Sequence, residues 1–329
     1  MITRRSVVRG GLSITGLAAS SVLPTILTSC AQKPSTVPLR IGLVEWPGYA
    51  PFYLAQELKY YGNAPIELIT FVDVSDIMRA YRQQQIDAIC TALSDVMQLA
   101  ETMPDQRFVL MIDESAGADA ILAKPSIKKL SDLKGKRIGS DLAILSSFML
   151  VAALQKANLT IKDVEIVSVG ISGQVQAYEA DRIDAVIAFD PSRSQLLRIG
   201  AKVIFDSSQI PGEIVDIMVA SQTTLTQHTS TFQMVTQGFF KALNYLKYHP
   251  EDAIARMCKR QNMTPDEFRK TLALLPLSDY QTNQKMLDRV NSPLISVTQD
   301  LNQIMMDAKL IQNPVDIKPL LTKAALLST

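Results

Sequence analysis

Between Phe108 and Gly139 the chain reads FVLMIDESAGADAILAKPSIKKLSDLKGKRIG, and this segment leaves few architectures open. It predicts a strand over 108–113, a bend of small residues over 115–118, and a second strand over 120–123. A turn broken by Pro125 follows, and a third strand begins after Leu133 and the Gly135 turn. Helical patterns separate most strands before and after this point, yet none separates the first two. A helix-free pair of strands there predicts that the chain leaves one α/β lobe and enters another. The competing reading is a β-hairpin within one sheet; the alternation on both sides favours the crossover.

On the N-terminal side, 39–46 is an apolar strand ending at Pro47-Gly48, and Pro51 opens a helix over 52–60. Strands over 66–71 and 86–90 flank a helix over 76–84 that Asp73 or Ser75 is placed to cap, and Ser94 starts another helix. Beyond the crossover, strands are expected over 137–139, 164–169, 184–189 and 202–205, with helices over 146–156, 174–180 and 192–199. The strand over 214–221, after Pro211-Gly212, is read as the return crossover. Strand–helix–strand alternation calls for parallel sheets with right-handed connections. From Ser230 the pattern is helical, and Thr264-Pro265-Asp266-Glu267 is a capping box with Pro at the first helical position. These C-terminal helices are expected to cover the first lobe.

An internal echo supports two related lobes. Residues 80–89 and 177–186 both read A-Y-x-x-x-x-I-D-A-[IV], at an offset of 184 − 87 = 97, which also superposes Ser75 on Ser172 as two candidate N-caps. Convergent helix–turn–strand chemistry is the other source of such a match.

The first 29 residues read as a targeting segment. Thr3-Arg4-Arg5-Ser6-Val7-Val8-Arg9 resembles a twin-arginine export signal, with Val7 in place of the usual Phe, so general secretion stays open as a route. An interrupted apolar region, 11–27, ends in Leu27-Thr28-Ser29-Cys30, which resembles a bacterial lipobox; the alternative is a signal peptide with an incidental Cys. The expected mature chain starts at lipidated Cys30, carries a polar tether over 30–38, and is exported and membrane-anchored, facing the periplasm or cell exterior. Removing 1–29 leaves 33 − 3 = 30 basic against 32 acidic residues, a net of −2, which offers nothing to nucleic acid. Cys90 and Cys258 lack metal-ligand spacing and read as buried thiols, with a disulfide between them left open.

Four phrases, in order, carry a family resemblance: residues 46–55 (WPGYAPFYLA), 113–119 (DESAGAD), 132–136 (DLKGK), and Ile183-Asp184-Ala185-Val186 with Asp190-Pro191. The chain resembles the substrate-binding proteins of ABC importers for nitrate, sulfonates, taurine and thiamine precursors. The match runs from about Leu39 to Met218. The resemblance implies an α/β, type II periplasmic-binding-protein fold: two α/β lobes, two crossovers, a helical C-terminal region, and one small-molecule ligand between the lobes. The expected division is 39–115 with 216–329 as lobe 1 and 116–215 as lobe 2. It also implies an ABC permease as partner; a monomer is expected, with no cofactor and no metal.

In open α/β sheets, ligands gather beyond the carboxyl ends of strands, often at helix N-termini. That rule selects Trp46, Tyr49, Asp73, Ser75, Thr91 and Ser94 in one lobe, and Asp141, Ser146, Ser147, Ser172 and Asp190 in the other, with Ser115 and Asp119 at the crossover. Helix capping alone would equally explain Ser75, Ser94, Ser146 and Ser172, and Asp190 would equally cap the turn at Pro191. Asp119 would serve as a solvated hinge residue, and Trp46 as core. Lys134, Lys136 and Arg137 read as a solvated turn. The candidate set holds several carboxylates and only Arg193 nearby as a cation, which favours an amine, a zwitterion or a heterocycle over a bare anion. Enzymes of thiamine-pyrimidine and menaquinone biosynthesis share this fold. Against that class, the two histidines, His228 and His249, lie outside the expected cleft, and the sequence shows no nucleophile–base pair or phosphate loop. A ligand-sensing lipoprotein is a third class.

Overall fold

A computed structural model describes residues 37–327. The targeting segment, Cys30 and most of the expected tether lie outside the described residues. Among the described residues, ten strands form two five-stranded sheets. The first contains β1 (Leu39–Val44), β2 (Ile66–Phe71), β3 (Ala88–Ala92), β4 (Gln106–Glu114) and β10 (Val215–Ser221), in the order β2-β1-β3-β10-β4. The second contains β5 (Ala120–Ala123), β6 (Arg137–Ser140), β7 (Glu165–Ser168), β8 (Ala185–Ala188) and β9 (Lys202–Asp206), in the order β7-β6-β8-β5-β9.

Three strands of each sheet are parallel, and the fourth strand runs antiparallel to both its neighbours: β10 against β3 and β4, β5 against β8 and β9. Each of these fourth strands follows directly on the last strand of the other sheet. β4 ends at Glu114 and the chain passes into β5; β9 ends at Asp206 and the chain passes back into β10. The segment that lacked a helix is therefore a passage between sheets, because its two strands pair with different neighbours. The return passage is 207–214, and the strand expected over 214–221 is an inner strand of the first sheet rather than the passage.

The passages are tied together. Ser115 Oγ and Ser207 Oγ lie 2.8 Å apart, Gly117 N–H donates to Ser207 Oγ at 2.6 Å, and Asp119 N–H donates to Ser115 Oγ at 3.0 Å. Gly117 sits at φ +118°, where a side chain would strain the bend.

Helices α1 (Ala50–Glu57), α2 (Val74–Arg82) and α3 (Leu93–Thr102) pack on the first sheet; α4 (Ile144–Lys156), α5 (Gln174–Glu179) and α6 (Ser192–Arg198) pack on the second. The C-terminal run is α7 (Gln222–Gln227), α8 (Thr229–Tyr248), α9 (Pro250–Arg260), α10 (Pro265–Leu272), α11 (Tyr280–Met286) and α12 (Leu294–Asp307). α8 and α9 cover α1, with the Phe239 ring packed at a tilt against Phe52, centroids 4.8 Å apart. The cover is not confined to the first sheet: α12 touches α4, and Glu267 of α10 pairs with Arg198 of α6 at 3.3 Å. The Thr264 capping box forms as expected. Arg137 is not in a solvated turn; it lies in β6 and grips Asp184 through Nε and Nη2 at 3.1 and 2.8 Å. Among the described residues no helix is long and apolar enough to cross a membrane. Cys90 and Cys258 are both buried and free, so no disulfide joins them.

Candidate functional site

β1 ends in an apolar run, and the chain turns sharply at Trp46 into a single 3-10 turn, Pro47–Tyr49, before α1. Gly48 permits that turn because any side chain there would strike the Asp113 carboxylate and the Trp46 indole. Trp46 is 4% exposed; its Nε1–H donates to Asp113 Oδ2 at 3.2 Å, and its ring meets Phe189 edge-on at 5.5 Å. Gln261 of the C-terminal region fixes the same turn by donating to the Trp46 carbonyl at 2.8 Å. Trp46 is thus both core and wall, since it lines the cavity between the two sheets.

That cavity encloses about 30 Å³. Val44, Trp46, Tyr49, Val74, Ile77, Cys90, Thr91, Ala92, Asp95 and Asp216 line it from the first lobe, and Asp119, Asp141, Ala143, Leu145, Ser146 and Phe189 from the second. Among the described residues, four carboxylates face it and no Lys, Arg or His lines it.

Burial, before any neighbour, governs these acids. Asp216 is pushed up to about 8 by burial and then by Asp119, against a hydrogen bond from the Tyr49 hydroxyl that pulls it down. Asp95 is pushed up to about 7 by burial and then by Asp141, opposed by the Thr91 hydroxyl, which donates at 3.2 Å. Asp119 rises to about 6, since Ser115 and Arg193 offset part of its burial. Burial raises Asp141 as well, against donors from Ser146 and Ala143. Asp113, 1% exposed, is raised by burial and then by Asp216, and its Oδ1 has no hydrogen-bond partner. Burial also pushes up the Cys90 thiol, with Asp216 and Asp113 adding to the effect, so a thiolate there is disfavoured.

Of the residues picked from sequence, Trp46, Tyr49, Thr91, Asp119, Asp141 and Ser146 line the cavity. The others do different work. Asp73 reaches across to the second lobe, where Oδ1 accepts from Ile171 N–H at 2.8 Å. Ser75 is exposed on α2 and caps nothing, because the helix already starts at Val74. Ser94 and Ser147 sit inside α3 and α4, past the cap positions, and neither lines the cavity. Ser115 is spent on the tie between the passages. Ser172 lies in a 3-10 turn and borders a separate groove of about 280 Å³ with Thr70, Phe71 and Gln195. Asp190 is fully buried; it accepts from Ser194 N–H at 2.8 Å and from the Thr271 hydroxyl. Asp95, Asp216, Phe189 and Cys90 were missed. Asp216 stands two residues into the predicted strand after the return passage, and Asp95 directly follows Ser94, so position was a signal for both. Among the described residues no group of three or more His, Cys, Asp or Glu is placed to hold a metal ion.

A family model described as NMT1/THI5 like matches residues 46–253. The chain belongs to the NMT1/THI5-like family. It is 26% identical over 226 residues to a Haemophilus influenzae protein named for thiamine biosynthesis, covering 64% of this chain and 70% of that one. It is 23% identical over 209 residues to the taurine-binding periplasmic protein of Escherichia coli, covering 64% and 61%. The fold matches the alkanesulfonate-binding protein of Xanthomonas axonopodis pv. citri bound to MOPS, with TM-score 0.72 at 18% identity over 89% of this chain and 99% of that one. It also matches a desulfurization enzyme, with TM-score 0.62 at 14% identity over 88% and 97%. The two-lobed α/β architecture is that of periplasmic binding proteins.

Proposed function

We propose that this protein is the extracytoplasmic substrate-binding component of an ABC importer, and that it takes a small organic molecule bearing cationic or donor-rich groups. The carrying observation is the cavity: four carboxylates and no basic side chain, walled by Trp46, Tyr49 and Phe189, between two lobes joined by two passages. Buried acids that raise one another's pKa gain from a ligand that brings positive charge or donors among them, and the rings suit a planar amine such as an aminopyrimidine. Closure by rotation about 113–119 and 207–214, lobe boundaries at 115/116 and 215/216, a monomeric state and an ABC permease as partner belong to the same reading. Lipid anchoring through Cys30 belongs to it too, and membrane pelleting of the Cys30→Ala variant against the parent tests that part.

The desulfurization-enzyme likeness raises an enzymatic reading. It is disfavoured because Cys90, the thiol lining the cavity, is held protonated and has no His beside it there.

A thermal-shift panel tests the proposal: methylamine, ethylenediamine and 4-aminopyrimidine against methanesulfonate, taurine and sulfate. Stabilisation by members of the first set alone supports the reading. Stabilisation by the anions alone sinks it, and turnover of any bound compound moves the protein to the enzyme class.

A further inference from the structure

Two carboxylates of the first lobe end on backbone donors of the second: Asp95 on Ile144 N–H at 3.2 Å, and Asp73 on Ile171 N–H at 2.8 Å. They differ in depth. Asp95 lines the cavity, whereas Asp73 stands between the cavity and the outer groove, with Val74 lining the first and Val72 the second.

Strand order gives the outer contact its leverage. The passages join the sheets at β4, β10, β5 and β9. Asp73 follows β2 and Ile171 follows β7, the edge strands at the opposite ends of the two orders. Other ties to the second lobe, Thr271 to Asp190 and Glu267 to Arg198, come from α10. Leu274, just beyond that helix, accepts from Ala116 N–H in the first passage at 2.9 Å. Rotation about the passages displaces the far edges most, so a bond there resists it best.

Asp73 also forgoes a local partner. It holds the N-cap position of α2 in extended backbone, φ −118° and ψ 133° + 12° = 145°, yet its side chain makes no cap bond. A carboxylate in that position ordinarily turns onto the N–H of the second or third helical residue, here Ser75 or Asp76. It meets instead the equivalent position of the internal echo, since 170 − 73 = 97, and a methyl group on Gly170 would lie 3.0 Å from Asp73 Oδ1.

We propose that Asp73 is a closure latch: its carboxylate accepts from Ile171 N–H when the lobes are shut and falls back on the start of α2 when they part, and so sets how long the cavity stays closed. This rests on the closure by rotation proposed above. The fallback keeps the latch reversible, because opening exchanges one charge-assisted hydrogen bond for another and leaves no carboxylate unpaired.

Amide hydrogen exchange in the full-length parent, Asp73→Ser and Asp73→Asn tests this, read at Ile171, at Ile144 and at the inner-strand residues Ile89 and Val186. Serine still caps α2 but is one bond shorter and falls short of Ile171, while asparagine keeps the length and an acceptor. Asp73→Ser is expected to speed exchange about ten-fold at Ile171 and Ile144 alike, with Ile89 and Val186 unchanged, and Asp73→Asn to give a smaller rise. A rise at Ile171 alone, or at neither, overturns the latch. An equal rise at Ile89 and Val186 overturns it too, since Asp73 would then support the fold as a whole. The parent decides the underlying reading separately: Ile144 less protected than Ile89 and Val186 means that the lobes part without unfolding, whereas equal protection rejects closure by rotation and the latch with it.

Discussion

In the first lobe Arg40 donates to Asp87 through its backbone N–H at 2.8 Å and its Nε at 2.9 Å; in the second, Arg137 does the same to Asp184 at 2.9 and 3.1 Å. The offset is 137 − 40 = 97 and 184 − 87 = 97. The turn before each Asp holds a non-glycine residue in the left-handed region, Gln84 at +57° and Asp181 at +54°. Gly42 and Gly139, two residues beyond each Arg, each admit an isoleucine against the strand, Ile86 and Ile183. The echo between 80–89 and 177–186 is therefore the visible part of a repeated strand–helix–strand frame. At the carboxyl ends the likeness stops. β1 runs into Trp46 and a 3-10 turn, whereas β6 runs into Asp141, Leu142 at φ +62° and the uncapped start of α4. Both lobes supply a ring and carboxylates to the cavity, but only the second brings a helix end, which Asp95 of the first lobe and Asp141 of the second then cover. A frame built twice sets the fold, and the two rims that face the cavity differ.

The largest expected effect compares the two rings that meet across the cavity. Trp46→Ala removes a buried ring and leaves Asp113 with neither oxygen partnered, so it should cost about 3–5 kcal/mol in denaturant unfolding. Phe189 is only partly buried, and Phe189→Ala should cost less than half as much. Equal losses would mean that the rim of the second lobe carries as much of the core as that of the first. Trp46 is the only tryptophan, so its fluorescence should also shift when 4-aminopyrimidine binds.

Next comes pH. Asp216, Asp95 and Asp119 stand at about 8, 7 and 6 in the folded protein, against about 4 for a carboxyl in an unfolded chain. Between about pH 4 and those values the folded state holds more protons than the unfolded, so stability falls as pH rises through that window. Acids held low by a partner, such as Asp288 at about 2, are ionised in both states over this range and do not offset the slope. The melting temperature without ligand should therefore be several degrees higher at pH 5.5 than at pH 8.5. Asp216→Asn in the first lobe should remove more of that slope than Asp119→Asn in the second. A melting temperature that rises with pH would contradict the account of the buried acids.

The smallest effect probes the frame. A methyl group on Gly42 would meet Ile86 Cδ1 at 2.6 Å and two atoms of Ile77 at 2.9 and 3.0 Å; on Gly139 it would crowd chiefly Ile183 Cδ1, at 2.8 Å. Gly42→Ala should cost roughly 1–3 kcal/mol by overpacking, and Gly139→Ala less, since one flexible side-chain tip can swing away. A larger loss at Gly139 would break the equivalence at that position.

Alternation of strand and helix, the helix-free passage at 113–119 and the Thr264 capping box were all legible in the residues, because each depends on neighbours a few positions apart. Half of the candidate site was legible for the same reason: Trp46, Thr91 and Asp141 stand where strands end, and strand ends are local facts. The serines misled because the signal for a cap is equally local, while the helices α3 and α4 start one or two residues earlier than the serines suggest. Asp95 and Asp216 needed the packed molecule. Asp95 finds its partner at Ile144, in the other lobe, and Asp216 meets Tyr49 from a strand inserted after the second passage. Such meetings are set by how two sheets exchange a strand and approach one another, and that long-range geometry leaves no periodicity in the chain.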